Sequence, residues 1–323
     1  MKTRLPLLFL WMAACLCGCS PSPLSGNDDP VKGSHAYTGE KISLADPEKA
    51  ENSYSVSFIQ IPGIGSYGKR SLQGFNCMGE IGFLFYDGGY CRCIDMEKEC
   101  ILSEFALPGE VCNPENHAGQ ADWGNEYAQA GDEFPVLYLS SYKEKCCYVL
   151  RMTRSDAELV QKIYLTDGTR SDGKYNLLDA QAFFPDGEKM VIKMGAVDPD
   201  GVKYKYWEVY DMPFLKFGKE VWLFSEKRND RFYVRTVLGE KDGGGNYYNA
   251  GFAKDGKIYV LAGFKGNLSR LLVIDYGRHS VVTDIHWAED AMLSAEQEQC
   301  CLWNGKLAVN YNGADYIAIV RFH

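Results

Sequence analysis

Residues 117–150, HAGQADWGNEYAQAGDEFPVLYLSSYKEKCCYVL, decide the fold that this chain is predicted to adopt. The stretch indicates an inner strand, a turn at Gly131-Asp132, a strand over residues 134–140, a polar turn and a strand over residues 146–151. An alternating run over residues 159–165 adds a fourth strand. Four consecutive strands joined by short turns are typical of one blade of a β-propeller.

The same order of strands and turns returns along the chain, which predicts an all-β protein, a β-propeller of four-stranded blades. Turn glycines mark five units at intervals of roughly 50 residues, and these are Gly79, Gly131, Gly187, Gly256 and Gly305. The interval between Gly187 and Gly256 is longer and holds surplus strand sequence within residues 214–238. The surplus contains two strand-like runs. Either one of them is the fourth strand of the third unit and the other is an insertion, or the region forms a reduced sixth blade.

The ends of the predicted propeller complement each other. The last unit has three strands, and residues 54–61, YSVSFIQI, form a solitary alternating strand at the other end. We expect this N-terminal strand to complete the last blade, because the pairing leaves no open sheet edge at the joint. The predicted propeller domain covers residues 51–323, and a sandwich array is the competing all-β arrangement.

The first residues carry an export pattern. Lys2 and Arg4 precede an apolar run over residues 5–16 that is too short to span a bilayer. Residues 16–19, LCGC, resemble the lipobox of bacterial lipoproteins. The resemblance implies that residues 1–19 are a signal peptide and that Cys19 carries the lipid. The alternative is an ordinary secretory signal with incidental cysteines.

Residues 20–50 are rich in Ser, Pro, Gly, Asp and Lys and have no apolar periodicity, which predicts a flexible tether. We expect the protein in the bacterial cell envelope, held at the outer membrane by its lipid rather than by a spanning helix. The net charge of −9 argues against a general nucleic-acid binder, because phosphate binding needs an excess of Lys and Arg on one face.

Nine of the 12 cysteines lie outside residues 1–19. An odd number leaves at least one thiol without a partner within the chain, although export would permit disulfides. Cys91 and Cys93 share one face of a strand and could hold a metal together with Cys100. The alternative, which we favour, is that they are small buried apolar residues. We therefore expect no metal and no cofactor.

Three pieces of the opening stretch carry a family resemblance. They are His117 with Trp123-Gly124, residues 131–138 (GDEFPVLY) and residues 147–151 (CYVLR). Together with the lipobox and the length, they resemble the TolB-like six-blade propeller family of Bacteroidota lipoproteins. The resemblance implies a lipid-anchored propeller with six blades, and it implies no settled activity.

Segments that lead into the innermost strands are expected to line one mouth of the central channel. The candidate binding residues are His117, Gln120, Asp122, Trp123, Asp179, Gln181, Tyr248, Asn249 and Glu298. Amide and carboxylate groups beside flat aromatics suit a sugar or peptide, through hydrogen bonds and stacking. The alternative is that these residues fill a water-lined channel and cap strand ends. Beside Asp122, His117 could act as a base or ligate a metal, or it could be a structural histidine.

The leading functional hypothesis is a non-enzymatic envelope lipoprotein that binds a glycan, a peptide or an envelope protein through one propeller face. The alternative is a glycan-active hydrolase or lyase that uses carboxylates such as Asp122, Asp179 and Glu298, since glycosidase chemistry needs two carboxyl groups. A third hypothesis is a structural scaffold in an envelope assembly.

Overall fold

The computed structural model describes residues 54–141, 146–165, 176–197, 203–224, 227–232, 248–262, 269–287 and 295–322. The predicted signal peptide, Cys19 and the tether lie outside the described residues. Within the described part of the chain, no helix is long and apolar enough to cross a membrane.

The strands follow one another in chain order around a ring. The first described strand is β1 (Tyr54–Gln60). Blade one contains β2 (Ser66–Tyr67), β3 (Arg70–Met78), β4 (Ile81–Tyr86), β5 (Tyr90–Asp95) and β6 (Cys100–Ala106). Blade two contains β7 (Gln120–Trp123), β8 (Leu137–Ser141), β9 (Cys146–Met152) and β10 (Ala157–Leu165). Blade three begins with β11 (Asn176–Asp186), β12 (Lys189–Val197) and β13 (Lys203–Asp211).

A 3-10 turn (Leu215–Phe217) and two short strands follow, β14 (Glu220–Leu223) and β15 (Asp230–Phe232). Blade four contains β16 (Tyr248–Lys254), β17 (Lys257–Ala262), β18 (Ser269–Asp275) and β19 (Ser280–Trp287). Blade five contains β20 (Gln297–Trp303), β21 (Lys306–Tyr311) and β22 (Tyr316–Phe322). The described strands thus form five sheets, and the predicted all-β propeller is confirmed.

The chain ends meet as predicted. β1 pairs antiparallel with β22, from Tyr54 opposite Phe322 to Gln60 opposite Tyr316, and becomes the outer strand of blade five. The N-terminal strand therefore closes the ring by covering the outer edge of β22.

The surplus sequence between blades three and four does not form a sixth blade in the described residues. β15 pairs with β13 and completes blade three. β14 instead runs parallel to β10, from Glu220 opposite Lys162 to Leu223 opposite Leu165, and extends blade two. The first of the two sequence alternatives is correct, and the six blades implied by the family resemblance are not what the described chain forms.

Tight turns join the first and second strands of most blades. Asp255-Gly256 and Asn304-Gly305 each have positive φ at both positions, which is the geometry of a two-residue type I′ hairpin. Blade two differs, because residues 124–136 form a longer connection and β8 begins at Leu137 rather than at residue 134. Pro135 lacks the N–H that a sheet ladder needs, and Phe134 packs against Trp123 instead.

The core consists of one apolar cluster between each pair of neighbouring blades. Pairs that share a cluster, taken in ring order, are Phe83 with Tyr148, Val149 with Ile192, Val191 with Ile274, Leu271 with Val309, and Ile319 with Phe75. Alternation along a strand sends adjacent residues to different clusters, so each blade is buried on both faces. Cys146 and Cys147 are separated in this way.

Candidate functional site

The five inner strands (β3, β7, β11, β16 and β20) approach one another closely around the propeller axis. A Cβ on Gly74 of β3 would lie 2.6 Å from the carbonyl oxygen of Ala118, which precedes β7, and within blade four a Cβ on Gly251 would lie 1.8 Å from the Tyr259 carbonyl oxygen of β17. Only glycine fits where backbones come this close. Register shifts in the pairing of β3, β11, β16 and β20 with their neighbours place an irregularity in the N-terminal part of each strand.

Gln299 lies on β20 and is hydrogen-bonded to three other inner strands, β3, β7 and β16. Its Oε1 accepts hydrogen bonds from the N–H of Phe75 on β3 and of Ala121 on β7, each at 2.9 Å. Its Nε2 donates to the carbonyl oxygens of Ala121 and Gly251, the latter on β16. The side chain is 0% exposed, so these bonds replace water for all of its polar atoms.

Gln120 and Asn310 complete this network. Gln120 donates to the Gly251 carbonyl at 2.7 Å and accepts from its N–H at 3.0 Å. Asn310 donates to the Gln73 carbonyl at 3.0 Å and accepts from the N–H of Gln299 at 2.9 Å. We call Gln120, Gln299 and Asn310 the amide brace. Because the Gln120 amide is enclosed and bonded at both ends, this candidate binding residue acts in cross-strand bracing.

A cavity of about 580 Å³ opens where the inner strands end and turn into the second strands. We call it the turn-side cavity. Its lining includes Asn76, Cys77, Asp122, Trp123, Pro185, Asp186, Phe252, Lys254, Asp255, Cys301 and Leu302. The sequence predicts a binding mouth at the segments that lead into the inner strands. The turn-side cavity lies at the opposite, C-terminal ends of those strands.

Asp122 is the buried carboxyl group of the turn-side cavity, with 6% of the residue exposed. Its Oδ1 accepts hydrogen bonds from Asn76 Nδ2 at 3.2 Å and from the Trp123 N–H at 3.0 Å. Its Oδ2 is buried and has no partner at good hydrogen-bond geometry among the described residues, although the Ala253 N–H lies close enough to the carboxyl group to affect its pKa. Burial raises the pKa of Asp122 well above its ordinary value, and the backbone N–H groups of Ala253 and Trp123 only partly offset that effect.

Trp123 is held firmly in the wall of this cavity. Its Nε1 donates to the Cys77 carbonyl at 3.1 Å. One ring face stacks on Phe134 with centroids 5.7 Å apart, and Phe83 meets the ring edge-on at 5.8 Å. The indole therefore reaches the cavity with a fixed orientation, which reduces the entropy lost when a ligand binds against it.

Asp186 is a second cavity carboxylate, but its oxygens already accept hydrogen bonds from blade four. Oδ1 accepts from the Asp255 N–H at 3.0 Å, and Oδ2 accepts from the Gly256 N–H at 2.8 Å and from the Tyr276 hydroxyl at 2.9 Å. Asp186 thus holds the blade-four hairpin against blade three. Asp186, Asn76 and Lys254 are not among the candidate residues predicted from the sequence, since nothing local marks them as cavity residues.

The remaining candidates lie away from the turn-side cavity or outside the described side chains. His117 precedes β7, and its Nδ1 lies 2.7 Å from Asp87 Oδ1 in a partly exposed pair. Glu298 is half-buried at the second position of β20. The structure places four others on inner strands, and their side chains lie outside the described part: Asp179 and Gln181 on β11, and Tyr248 and Asn249 on β16.

The described residues contain no group of three or more His, Cys, Asp or Glu side chains arranged to hold a metal ion. Cys91 and Cys93 instead pack in the apolar cluster between blades one and two. Burial raises the pKa of the Cys91 thiol well above its ordinary value and that of Cys93 to about 12. Both thiols are therefore protonated at neutral pH.

The five sheets and the closed ring define a five-bladed β-propeller. No protein-family model matches the sequence, and no curated protein matches it. Among solved structures, glutaminyl cyclase of Myxococcus xanthus aligns with a TM-score of 0.47 and 13% identity, over 83% of this chain and 95% of the enzyme.

Raptor of Chaetomium thermophilum aligns with a TM-score of 0.40 and 11% identity, over 80% of this chain and 28% of Raptor. The β-propeller domain of Cps50 (Swd1) from Myceliophteria thermophila aligns with a TM-score of 0.36 and 11% identity, over 77% and 82% of the two chains. Similarity at this level carries no functional argument, so the site has to be interpreted from its own geometry.

Proposed function

We propose that this protein is a non-enzymatic lipoprotein of the bacterial cell envelope that binds a small ligand in the turn-side cavity. The observation that carries the binding part is the buried Oδ2 of Asp122, a carboxyl oxygen with no described hydrogen-bond partner in a residue that lines the cavity. A buried polar atom left unsatisfied costs about 1–3 kcal/mol, and a ligand that donates a hydrogen bond to it recovers this energy. The anchor and the location rest on residues 1–19.

The lining of the cavity specifies the chemistry of the ligand. Its volume of about 580 Å³ is in the range of small-molecule sites. Asp122 accepts from a hydroxyl or an ammonium group, Phe252 and the fixed Trp123 supply apolar surface, and Lys254 supplies a cation. A sugar unit or a short peptide carries these complementary groups, which supports the glycan or peptide class of ligand.

A thermal-shift screen of the purified protein with monosaccharides, oligosaccharides and short peptides tests this proposal. A ligand at 100-fold excess over its Kd raises the free energy of unfolding by about 2.7 kcal/mol, which corresponds to a Tm rise of roughly 5–10 °C. We expect Asp122→Asn to reduce the rise strongly. His117→Ala is the matched control and keeps it, because His117 does not line the cavity.

Two results contradict the proposal. If the ligand effect is lost in His117→Ala and kept in Asp122→Asn, the site lies at the other ends of the inner strands. If none of the compounds shifts Tm, the propeller binds an envelope protein or serves as a scaffold, and capture of protein partners becomes the next experiment.

The pH dependence of binding distinguishes an amine from a neutral sugar. Because burial raises the pKa of Asp122, its carboxyl group loses its proton only at a higher pH than an exposed aspartate. Affinity for an ammonium group therefore increases as pH rises through that pKa. A neutral sugar can accept from the acid as well as donate to the carboxylate, so its affinity changes much less.

The hydrolase alternative is supported by the same raised pKa, because a general acid must keep its proton near neutral pH. It needs a second carboxylate, and Asp186 and Asp255 line the cavity. The hydrogen bonds that Asp186 accepts from blade four favour a structural role for this residue. Release of reducing sugar from glycans by the native protein, abolished by Asp122→Asn, would favour the enzyme.

Lipid attachment is tested separately from ligand binding. Cells expressing the protein are labelled with a radioactive fatty acid, and the labelled band is compared with that of Cys19→Ala. We expect the label in the native protein and its loss in the variant. Label that persists in Cys19→Ala, or is absent from both, contradicts the lipobox.

A further inference from the structure

The first and last blades place two thiols in direct contact. Cys77 lies near the end of β3 in blade one, and Cys301 lies on β20 in blade five. Their sulfur atoms are 3.3 Å apart. Both residues are buried in the cluster between these two blades, with 4% and 2% of the residue exposed. The contact thus lies at the ring joint that β1 also closes.

The geometry is close to that of a disulfide. An S–S bond is about 2.05 Å long, so the two sulfur atoms need to approach by about 1.2 Å. The cysteines belong to the inner strands of adjacent blades, so small changes in both side-chain torsions and in the spacing of the two blades can share that movement. Both residues also line the turn-side cavity, which gives a small oxidant a route to them.

We propose that Cys77 and Cys301 are a modification site at which a disulfide oxidant, such as glutathione disulfide, forms an intramolecular disulfide that joins blade one to blade five. The proposal does not depend on the proposed ligand. In the first step, one cysteine thiolate attacks the oxidant, forms a mixed disulfide and releases one reduced thiol. In the second step, the other cysteine attacks the mixed disulfide and releases a second thiol. The two cysteines lose two protons and two electrons, and the oxidant is reduced to two thiols.

The fraction of Cys301 that is present as thiolate affects the rate of disulfide formation. Burial raises the pKa of the Cys301 thiol well above its ordinary value, so little of it is thiolate at neutral pH. Exchange requires the thiolate. We therefore expect the bond to form slowly near pH 7 and faster as the pH of the oxidation buffer rises.

The bond would cross-link residues separated by 224 positions in sequence, which is most of the propeller. A cross-link over such a long loop removes much conformational freedom from the unfolded chain. For a domain of this size we expect the Tm of the oxidised protein to exceed that of the reduced protein by roughly 10 °C.

Two measurements on the purified protein test the proposal. The protein is incubated with glutathione disulfide or with dithiothreitol, free thiols are blocked, and non-reducing peptide mapping by mass spectrometry identifies the linked cysteines. We expect a peptide joined through Cys77 and Cys301 in the oxidised sample, together with the Tm difference. Mapping uses the native sequence, so it stands even if a serine variant folds poorly.

Cysteine variants show whether the Tm difference is caused by a disulfide between Cys77 and Cys301. We expect the difference to disappear in Cys77→Ser and in Cys301→Ser. Cys300→Ala is the matched control, because Cys300 is adjacent on β20 but packs in the cluster between blades four and five. It should keep both the linked peptide and the Tm difference. Absence of the linked peptide in the native protein, or a Tm difference that persists in Cys77→Ser, overturns the proposal.

Discussion

Gln120 and Asp122 lie two residues apart on β7, but their polar groups differ in how many hydrogen-bond partners they have. Both ends of the Gln120 amide are bonded to the backbone of Gly251. Asp122 has one oxygen bonded and one without a described partner, at the wall of a cavity. The amide brace therefore holds the inner strands together, whereas Asp122 keeps one buried oxygen without a described partner at the wall of the turn-side cavity. Neighbouring polar positions in a propeller can thus have unrelated roles.

The largest effect that would test this comparison is expected for Gln299→Ala. The change removes the described acceptor of two buried N–H groups, on Phe75 and Ala121, and leaves a cavity at the axis. Each unsatisfied buried group costs about 1–3 kcal/mol, so we expect the free energy of unfolding to fall by about 3–5 kcal/mol. Equilibrium denaturation in urea measures it. Gln120→Ala is the matched control with a smaller loss, because among the described residues Gln120 bonds with Gly251 alone; equal losses would contradict the role assigned to Gln299.

Asp122→Asn should have a smaller effect of the opposite sign. Burial raises the pKa of Asp122 in the folded state, so its protonated form favours folding, and that contribution is lost as pH rises through the folded-state pKa. An asparagine carries no charge to bury, and we expect it to raise the free energy of unfolding at pH 7 by about 1–2 kcal/mol. The gain should shrink towards pH 3–4. Denaturation curves across pH check it, and an equal pH slope in both proteins would contradict the burial of this carboxyl group.

Trp123→Phe tests the wall of the cavity with a smaller expected change. The phenyl ring keeps the stacking on Phe134 but loses the hydrogen bond from Nε1 to the Cys77 carbonyl. A typical hydrogen bond of this kind contributes about 1 kcal/mol, and urea denaturation should show a loss of that size. Ligand-induced thermal shifts should survive in reduced form. A loss above about 3 kcal/mol would mean that the ring supports the core more than the cavity.

His117→Ala should have the smallest effect. The pair with Asp87 is partly exposed on both sides, and exposed pairs contribute about 0–1 kcal/mol. We expect a loss below about 1 kcal/mol. A double-mutant cycle with Asp87→Ala measures the pair directly. A coupling energy above about 2 kcal/mol would show that the His117 end of the inner strands is as tightly organised as the amide brace.

Much of the fold could be predicted from local sequence. Asp-Gly and Asn-Gly turns between alternating runs indicate hairpins, because few other residues tolerate positive φ at both turn positions. The solitary strand over residues 54–61 and the three-stranded last unit were sufficient to predict ring closure, which β1 and β22 confirm. The parallel addition of β14 to blade two could not be predicted, since pairing between distant segments leaves no local pattern.

The candidate site was predicted in part. Asp122 and Trp123 do line a cavity, but it lies at the other ends of the inner strands from the predicted mouth. Gln120 lies in the same strand and is enclosed in the amide brace. Carboxylate, amide and indole groups are the ones that bind ligands or brace strands, so residue type alone does not separate the two roles. Which of the two they do depends on whether a backbone partner is within reach.

The sequence by itself determined the class of fold, the closure of the ring and the positions of the hairpins, because these follow from alternation and from turn residues with positive φ. Only the tertiary structure decided the number of blades, the contact between Cys77 and Cys301, and the difference between Gln120 and Asp122. These features depend on distances between residues that are far apart in the chain. Such distances are set when the blades pack against one another around the axis, and no local pattern of residue types encodes them.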